Sequence, residues 1–229
     1  MDHFWVVQWL GQDVHLNTVV MVWVGMAVTL LMSVVLLQGA SIVPASRRQV
    51  FAEGIYGFVR TMTFPLSGAS GDKFLFIVGS LFLFILVSNL LGQFPLRLIH
   101  LPHGELMAAT GDLNTTAALA VVAILSCILL SLKSLGLGGF IKHHLEPTPL
   151  ILPLHLLDYL TRPGSLMVRL YANVLVGEIL SGLAIKAFPI LLPLLVILME
   201  CGVGFLQSYI FAQLTAVYIG MMVAHGDHH

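Results

Sequence analysis

The sequence predicts an all-α polytopic membrane protein: about five membrane helices plus an amphipathic interfacial helix, the last two runs long enough to form a strongly tilted antiparallel hairpin. Three observations predict it. Of 229 residues, 58% are hydrophobic and only 9% charged, with a mean hydropathy of +0.98, which is too little charge for the surface of a soluble domain. Apolar stretches of the ~20 residues needed to cross a core ~30 Å thick recur along the chain. Both cysteines, Cys127 and Cys201, lie inside such stretches, which argues against a disulfide framework or a cysteine metal site and makes them small core residues.

The whole of 1–229 reads as one membrane domain. Residues 1–18 have no basic leader and no small-residue cleavage pattern, so no removable signal peptide is expected and the first span stays. Spans are expected at 19–37, 74–96 and 115–132. Between the first two, 42–65 mixes Arg47, Arg48, Glu53 and Arg60 with Val50, Phe51, Ile55, Tyr56 and Phe58; it is too polar to span and suits the membrane interface as an amphipathic helix. Two long runs follow, 153–188 and 189–223, folded about Pro189 and Pro193, and 224–229 is a short tail.

Basic residues set the orientation. Seven (Arg47, Arg48, Arg60, Lys73, Lys133, Lys142, Arg162) fall on one side and two (Arg97, Lys186) on the other. The richer side is expected to be cytoplasmic, which puts the N-terminus outside and the C-terminus inside. Trp5, Trp9 and Trp23 read as interfacial anchors. A net charge of −1 with scattered basic residues gives no sign of nucleic-acid binding. The histidines near acids (His100, His103 and Glu105; His143, His144 and Glu146; the tail HGDHH) lack the spacing of a metal site, so no metal or cofactor is expected.

The costly residue is Arg169, a permanent cation inside an apolar run. If 153–188 is one helix, its ~36 residues measure ~54 Å and must lean by roughly 55° to stay in a ~30 Å core. Arg169 then lies ~16 Å deep. If Pro163 and Gly164 break the run, an upright span begins near Ser165 and the arginine can snorkel to the far interface. Geometry alone leaves both readings open.

Helical angles sort the polar neighbours. At 100° per residue Asn173 lies about 40° from Arg169 and Gly177 about 80°, whereas Glu178 is turned by about 180° and cannot pair with the arginine within the helix. Glu200 and Gln207 share a face of the last run, seven residues apart. A hairpin folded at residue 188 pairs positions summing to about 376, setting Arg169 opposite Gln207 and Glu178 within a turn of Glu200. Two acids brought together in low dielectric would titrate in coupled steps, which suits proton exchange.

SLMVRLYANVLVGEIL, Ser165 to Leu180, resembles the signature helix of subunit a of the rotary F-type ATP synthase of bacterial type, where an arginine, an asparagine four residues on and an acid nine residues on recur in this order. The likeness extends to Pro44, Gln49 and Glu53, to SNLLGQFP from Ser88, to DLNTTAALA from Asp112 and to FIKHHLEP from Phe140. The resemblance implies a stator subunit that makes no ATP itself. It provides two offset proton half-channels to the rotating c-ring, each of whose subunits carries one mid-membrane carboxylate, and so couples proton flow to ATP synthesis. It further implies steeply inclined helices, Arg169 facing the ring, Asn173 and Gln207 nearest the arginine, and Glu178 and Glu200 in the outside half-channel. The implied partners are the c-subunit ring, peripheral-stalk subunit b, the remainder of the complex and the lipid bilayer; the implied location is the bacterial plasma (inner) membrane.

The chain departs from the family pattern at three places. His155, a further proton-path candidate, stands fourteen residues before the arginine where members usually carry an acid, with Asp158 nearby. Two acids stand where members often pair a histidine with an acid. Met167 replaces a small residue. A rival reading, an anion channel or secondary transporter using Arg169 as counter-charge, calls for broken helices or repeat symmetry, and neither is evident in the sequence. An intramembrane enzyme would require a nucleophile or metal set that the residues do not supply.

Overall fold

The computed structural model describes residues 6–9, 12–39, 41, 46–67, 71–93, 108–145, 152–188 and 191–223. Among them are six α-helices: α1 (Leu16–Leu37), α2 (Arg47–Ser67), α3 (Gly71–Gln93), α4 (Leu113–Leu145), α5 (Leu152–Ala187) and α6 (Leu191–Val223). All but α2 are long and apolar enough to cross a membrane. One short feature breaks the helical pattern. Strands β1 (Val6–Trp9) and β2 (Gln12–His15) pair antiparallel, Val6 opposite His15, in a stretch the sequence reading left without structure.

Local chemistry fixes the helix ends. Asp112 caps α4: its Oδ1 accepts from the Asn114 amide at 2.7 Å, the Asx arrangement that satisfies an orphan N–H. Ser46 caps α2 through the Gln49 amide at 3.2 Å, in the Ser-x-x-Gln pattern of a capping box. The Gln49 side chain is spent elsewhere, donating to the Ser41 carbonyl at 2.6 Å and to Glu53 at 2.9 Å. Within α1, Thr29 and Ser33 turn their hydroxyls back to the carbonyls four residues earlier, at 2.7 and 2.9 Å, because hydrocarbon offers no other acceptor. At Gly136 α4 is interrupted by φ 70°, a left-handed conformation in which a Cβ would be strained.

The fate of Pro163 decides between the two sequence readings of the arginine run. α5 continues through Pro163 and Gly164 as one helix of 36 residues. The proline costs one backbone hydrogen bond, yet the helix does not restart near Ser165. α6 adds 33 residues, so each element measures ~50 Å or more at 1.5 Å per residue.

The chain forms two compact units. One gathers 1–35, 83–116 and 168–208; the other gathers 36–82, 117–167 and 209–229. Burying leucine against leucine gains little in a bilayer, since lipid is equally apolar, so helices associate through small residues and polar contacts that let backbones approach. The second unit illustrates this. Ala120, Ala123, Cys127 and Ser131 line α4, and Ala212, Thr215 and Ala216 line α6, all buried. The Cys127 thiol points to the Thr215 carbonyl at 3.9 Å. Cys201, by contrast, is only half-buried, so the reading of both cysteines as core residues holds for Cys127 alone. In the same unit Phe58 of α2 packs at 5.7 Å on Phe82 and 5.8 Å on Tyr209, while Val50, Phe51 and Tyr56 stay exposed.

Candidate functional site

α5 is an amphipathic helix within a membrane span. Leu166, Leu170, Val174, Gly177 and Ala184 form its buried stripe, at spacings of three, four and seven residues, the helical repeat that keeps one face inward. Arg169 falls one position off that stripe and is exposed. It makes no hydrogen bond or ion pair among the described residues. Its surroundings on the outward face are apolar: Val168 and Val176 are each more than half exposed. Asn173, a turn further on, is half-buried.

The acids behave in the opposite way. Glu200 is 8% exposed and accepts a hydrogen bond from Ser181 Oγ at 3.0 Å. Gly177 makes the seat: a Cβ there would stand 3.0 Å from Glu200 Cδ and Oε1, a tight contact that the carboxyl would have to relieve by shifting a few tenths of an ångström, so glycine lets it lie against the α5 backbone. Glu178 is half-buried. Its Oε1 lies 3.5 Å from where a Cβ would project at Gly111, in the short turn Ala109–Gly111 that precedes α4. Gln207 is buried, and its Nε2 has no partner among the described residues.

The structure therefore brings Glu200 onto α5 and sets Glu178 under the turn, and it draws Arg169 to neither acid. The contact of Glu200 with Gly177 falls within one residue of the register expected for a fold at residue 188. The two helices approach where Gly177 removes a side chain, and the carboxyl reaches across to the next turn's hydroxyl at Ser181. His155 lies in α5, with its side chain outside the described residues, and so do the side chains of Asp158, His143 and His144. His100, His103, Glu105, Glu146 and the tail HGDHH fall outside them altogether.

Ser181 and Gly111 escaped the sequence reading. Ser181 could have been found, since it stands three residues after Glu178 and on the Gly177 side of the helix. Gly111 could not, because its partner is far away in the chain.

A pair of long helices in a polytopic membrane protein, with Glu200 buried between them and Arg169 exposed without an ion pair among the described residues, defines a membrane protein that carries charged groups inside its spans. Comparison gives the particular family. Residues 19–220 match the family model for the ATP synthase A chain. The chain is also similar to the ATP synthase subunit a of Gloeobacter violaceus, 36% identical over 226 residues, covering 95% of this chain and 88% of the relative. The chain belongs to the ATP synthase A chain family: it is a multi-pass, proton-translocating subunit of the membrane sector, working with the rest of that complex.

Proposed function

We propose that Arg169 faces the carboxylates of the c-ring and separates two offset proton half-channels, of which the outside one contains Glu178 and Glu200. One observation carries this reading. Arg169 is exposed on an apolar face of a membrane-spanning helix and makes no ion pair among the described residues. A cation left there without a partner costs at least ~3 kcal/mol, so its counter-charge belongs to another chain.

The unbroken length of α5 supports the steep inclination, since ~54 Å of helix fits a ~30 Å core only at roughly 55°. Arg169 is then near mid-membrane, the depth of the ring carboxylate. At ~4 Å and an effective dielectric of ~20 the attraction is about 4 kcal/mol, which favours the ionised carboxylate by roughly a thousandfold. The approaching ring site therefore releases its proton to the inside half-channel. After passing the arginine it is recharged from the outside half-channel through Glu178 and Glu200, with Asn173 and Gln207 beside the arginine and His155 as a further proton-path residue. The fixed charge also obstructs proton leakage between the two half-channels.

In this reading the N-terminus lies outside and the C-terminus in the cytoplasm of a bacterial plasma membrane. The ring and peripheral-stalk subunit b are the direct partners, and the catalysis of ATP formation lies elsewhere in the complex. The test is Arg169→Ala in the complete reconstituted complex: ATP-driven proton pumping is abolished, whereas full coupled pumping by that variant would overturn the role.

A further inference from the structure

We propose that Asn89 and Thr110 are positioning residues for the outside proton site, acting by holding the turn at 108–112 against Glu178. The proposal rests on the reading of Glu178 as an outside half-channel residue. Asn89 and Thr110 are 3% and 0% exposed. Thr110 Oγ1 donates to Asn89 Oδ1 at 2.9 Å, and Asn89 Nδ2 donates to the Gly204 carbonyl of α6 at 3.2 Å. One amide thus uses both its acceptor and its donor to tie the turn, α3 and α6 together, and neither leucine nor aspartate could do both.

The other edge of the turn is tied as well. Asp112 Oδ2 accepts from Thr18 of α1 at 3.1 Å, while its Oδ1 caps α4. Between these anchors Gly111 presents bare backbone to α5. A Cβ at that position would stand 3.3 Å from Val174 Cγ1 and 3.5 Å from Glu178 Oε1. No side chain lies between backbone and carboxyl, so the position of the turn itself sets the space around Glu178. A buried side-chain network of this kind is rigid only while every member is satisfied.

The hydroxyl is the sensitive member. Without it Asn89 Oδ1 loses its donor in a buried site, the turn is released on that side, and water gains access to Glu178. The other ionisable groups on the elements packed there are Asp112 on the turn, Glu200 and Cys201 on α6, and Arg169, Tyr171 and Lys186 on α5. α1 and the part of α3 in this unit contribute none.

The experiment uses the complete complex in proteoliposomes, with proton-driven ATP synthesis measured as outside pH is varied. Thr110→Val keeps the shape and removes the donor. It is expected to lower the rate about fivefold and to displace the half-maximal outside pH by about half a unit or more, and Thr110→Ser restores both. An assembled Thr110→Val complex with the unchanged rate and profile overturns the proposal. If Thr110→Val does not assemble, Gly111→Ala decides: it leaves the Asn89–Thr110 bond in place and adds a methyl facing Glu178. A displaced profile supports the positioning role and an unaltered one overturns it. Glu178→Gln separates the two levels of inference. If that variant keeps the unchanged profile, the reading of Glu178 fails and the positioning role falls with it; if it alters the profile while the Thr110 and Gly111 variants do not, only the positioning role fails.

Discussion

Ser181 on α5 donates its hydroxyl to the Glu200 carboxylate on α6 across 3.0 Å, joining the two arms of the hairpin through the acid itself. A side-chain hydrogen bond contributes about 0.5–1.5 kcal/mol, and leaving its buried partner unsatisfied costs about 1–3 kcal/mol. Ser181→Ala is therefore expected to slow proton-driven ATP synthesis roughly tenfold while leaving the amount of assembled complex unaltered. Synthesis rates in proteoliposomes provide the check, and a rate equal to that of the unchanged protein would remove Ser181 from the path.

Gly177 allows that contact. Its absent side chain leaves room for Glu200 where a Cβ would stand 3.0 Å from the carboxyl. Gly177→Ala is expected to push the carboxyl off its seat and lower activity, and Gly177→Val to lower it further, since overpacking costs typically ~1–3 kcal/mol and rises with volume. Activity that is indifferent to side-chain size at this position would contradict the seat.

Register gives an independent check. With Cys127 and Cys201 replaced, Gly177→Cys combined with Glu200→Cys is expected to crosslink readily under mild oxidation, because the two positions face each other in the structure. Crosslinking confined to positions a turn or more further along α6 would show that the arms pair differently.

Much of this architecture could be read from residue order, for stated reasons. Span lengths follow from hydrophobic runs, and the isolation of Arg169 from Glu178 follows from 100° per residue. The register expected from the fold point is met to within one residue where Gly177 faces Glu200, whereas the hydrogen bond from Ser181 on the next turn depends on the reach of the side chain and was not legible. Pro163 left two readings open, since a proline both breaks helices and is tolerated within membrane spans. The tie from Asn89 to Thr110 spans 21 positions and that from Asn89 to Gly204 spans 115; no periodicity carries such information. The pairing of β1 with β2 was likewise invisible, because four-residue strands barely rise above chance in an apolar sequence.

At the other end of the hairpin Arg162 stacks on the Tyr218 ring, 4.7 Å from its centroid. A cation over an aromatic face contributes roughly 0.5–2 kcal/mol according to its exposure. Tyr218→Phe keeps the ring and is expected to preserve thermal stability of the complex, whereas Tyr218→Leu lowers it measurably. Equal melting of all three proteins would show that the stacking contributes nothing.

The central claim is that Arg169 supplies a permanent charge to a partner's carboxylate, and its most direct measurement compares Arg169→Lys with Arg169→Ala in ATP-driven proton pumping by the complete complex. Lysine is a compact charge that can lose its proton when desolvated, and it lacks the rigid fork of the guanidinium. The account predicts no pumping with alanine and severely reduced pumping with lysine. Full coupled pumping by the alanine variant would contradict it.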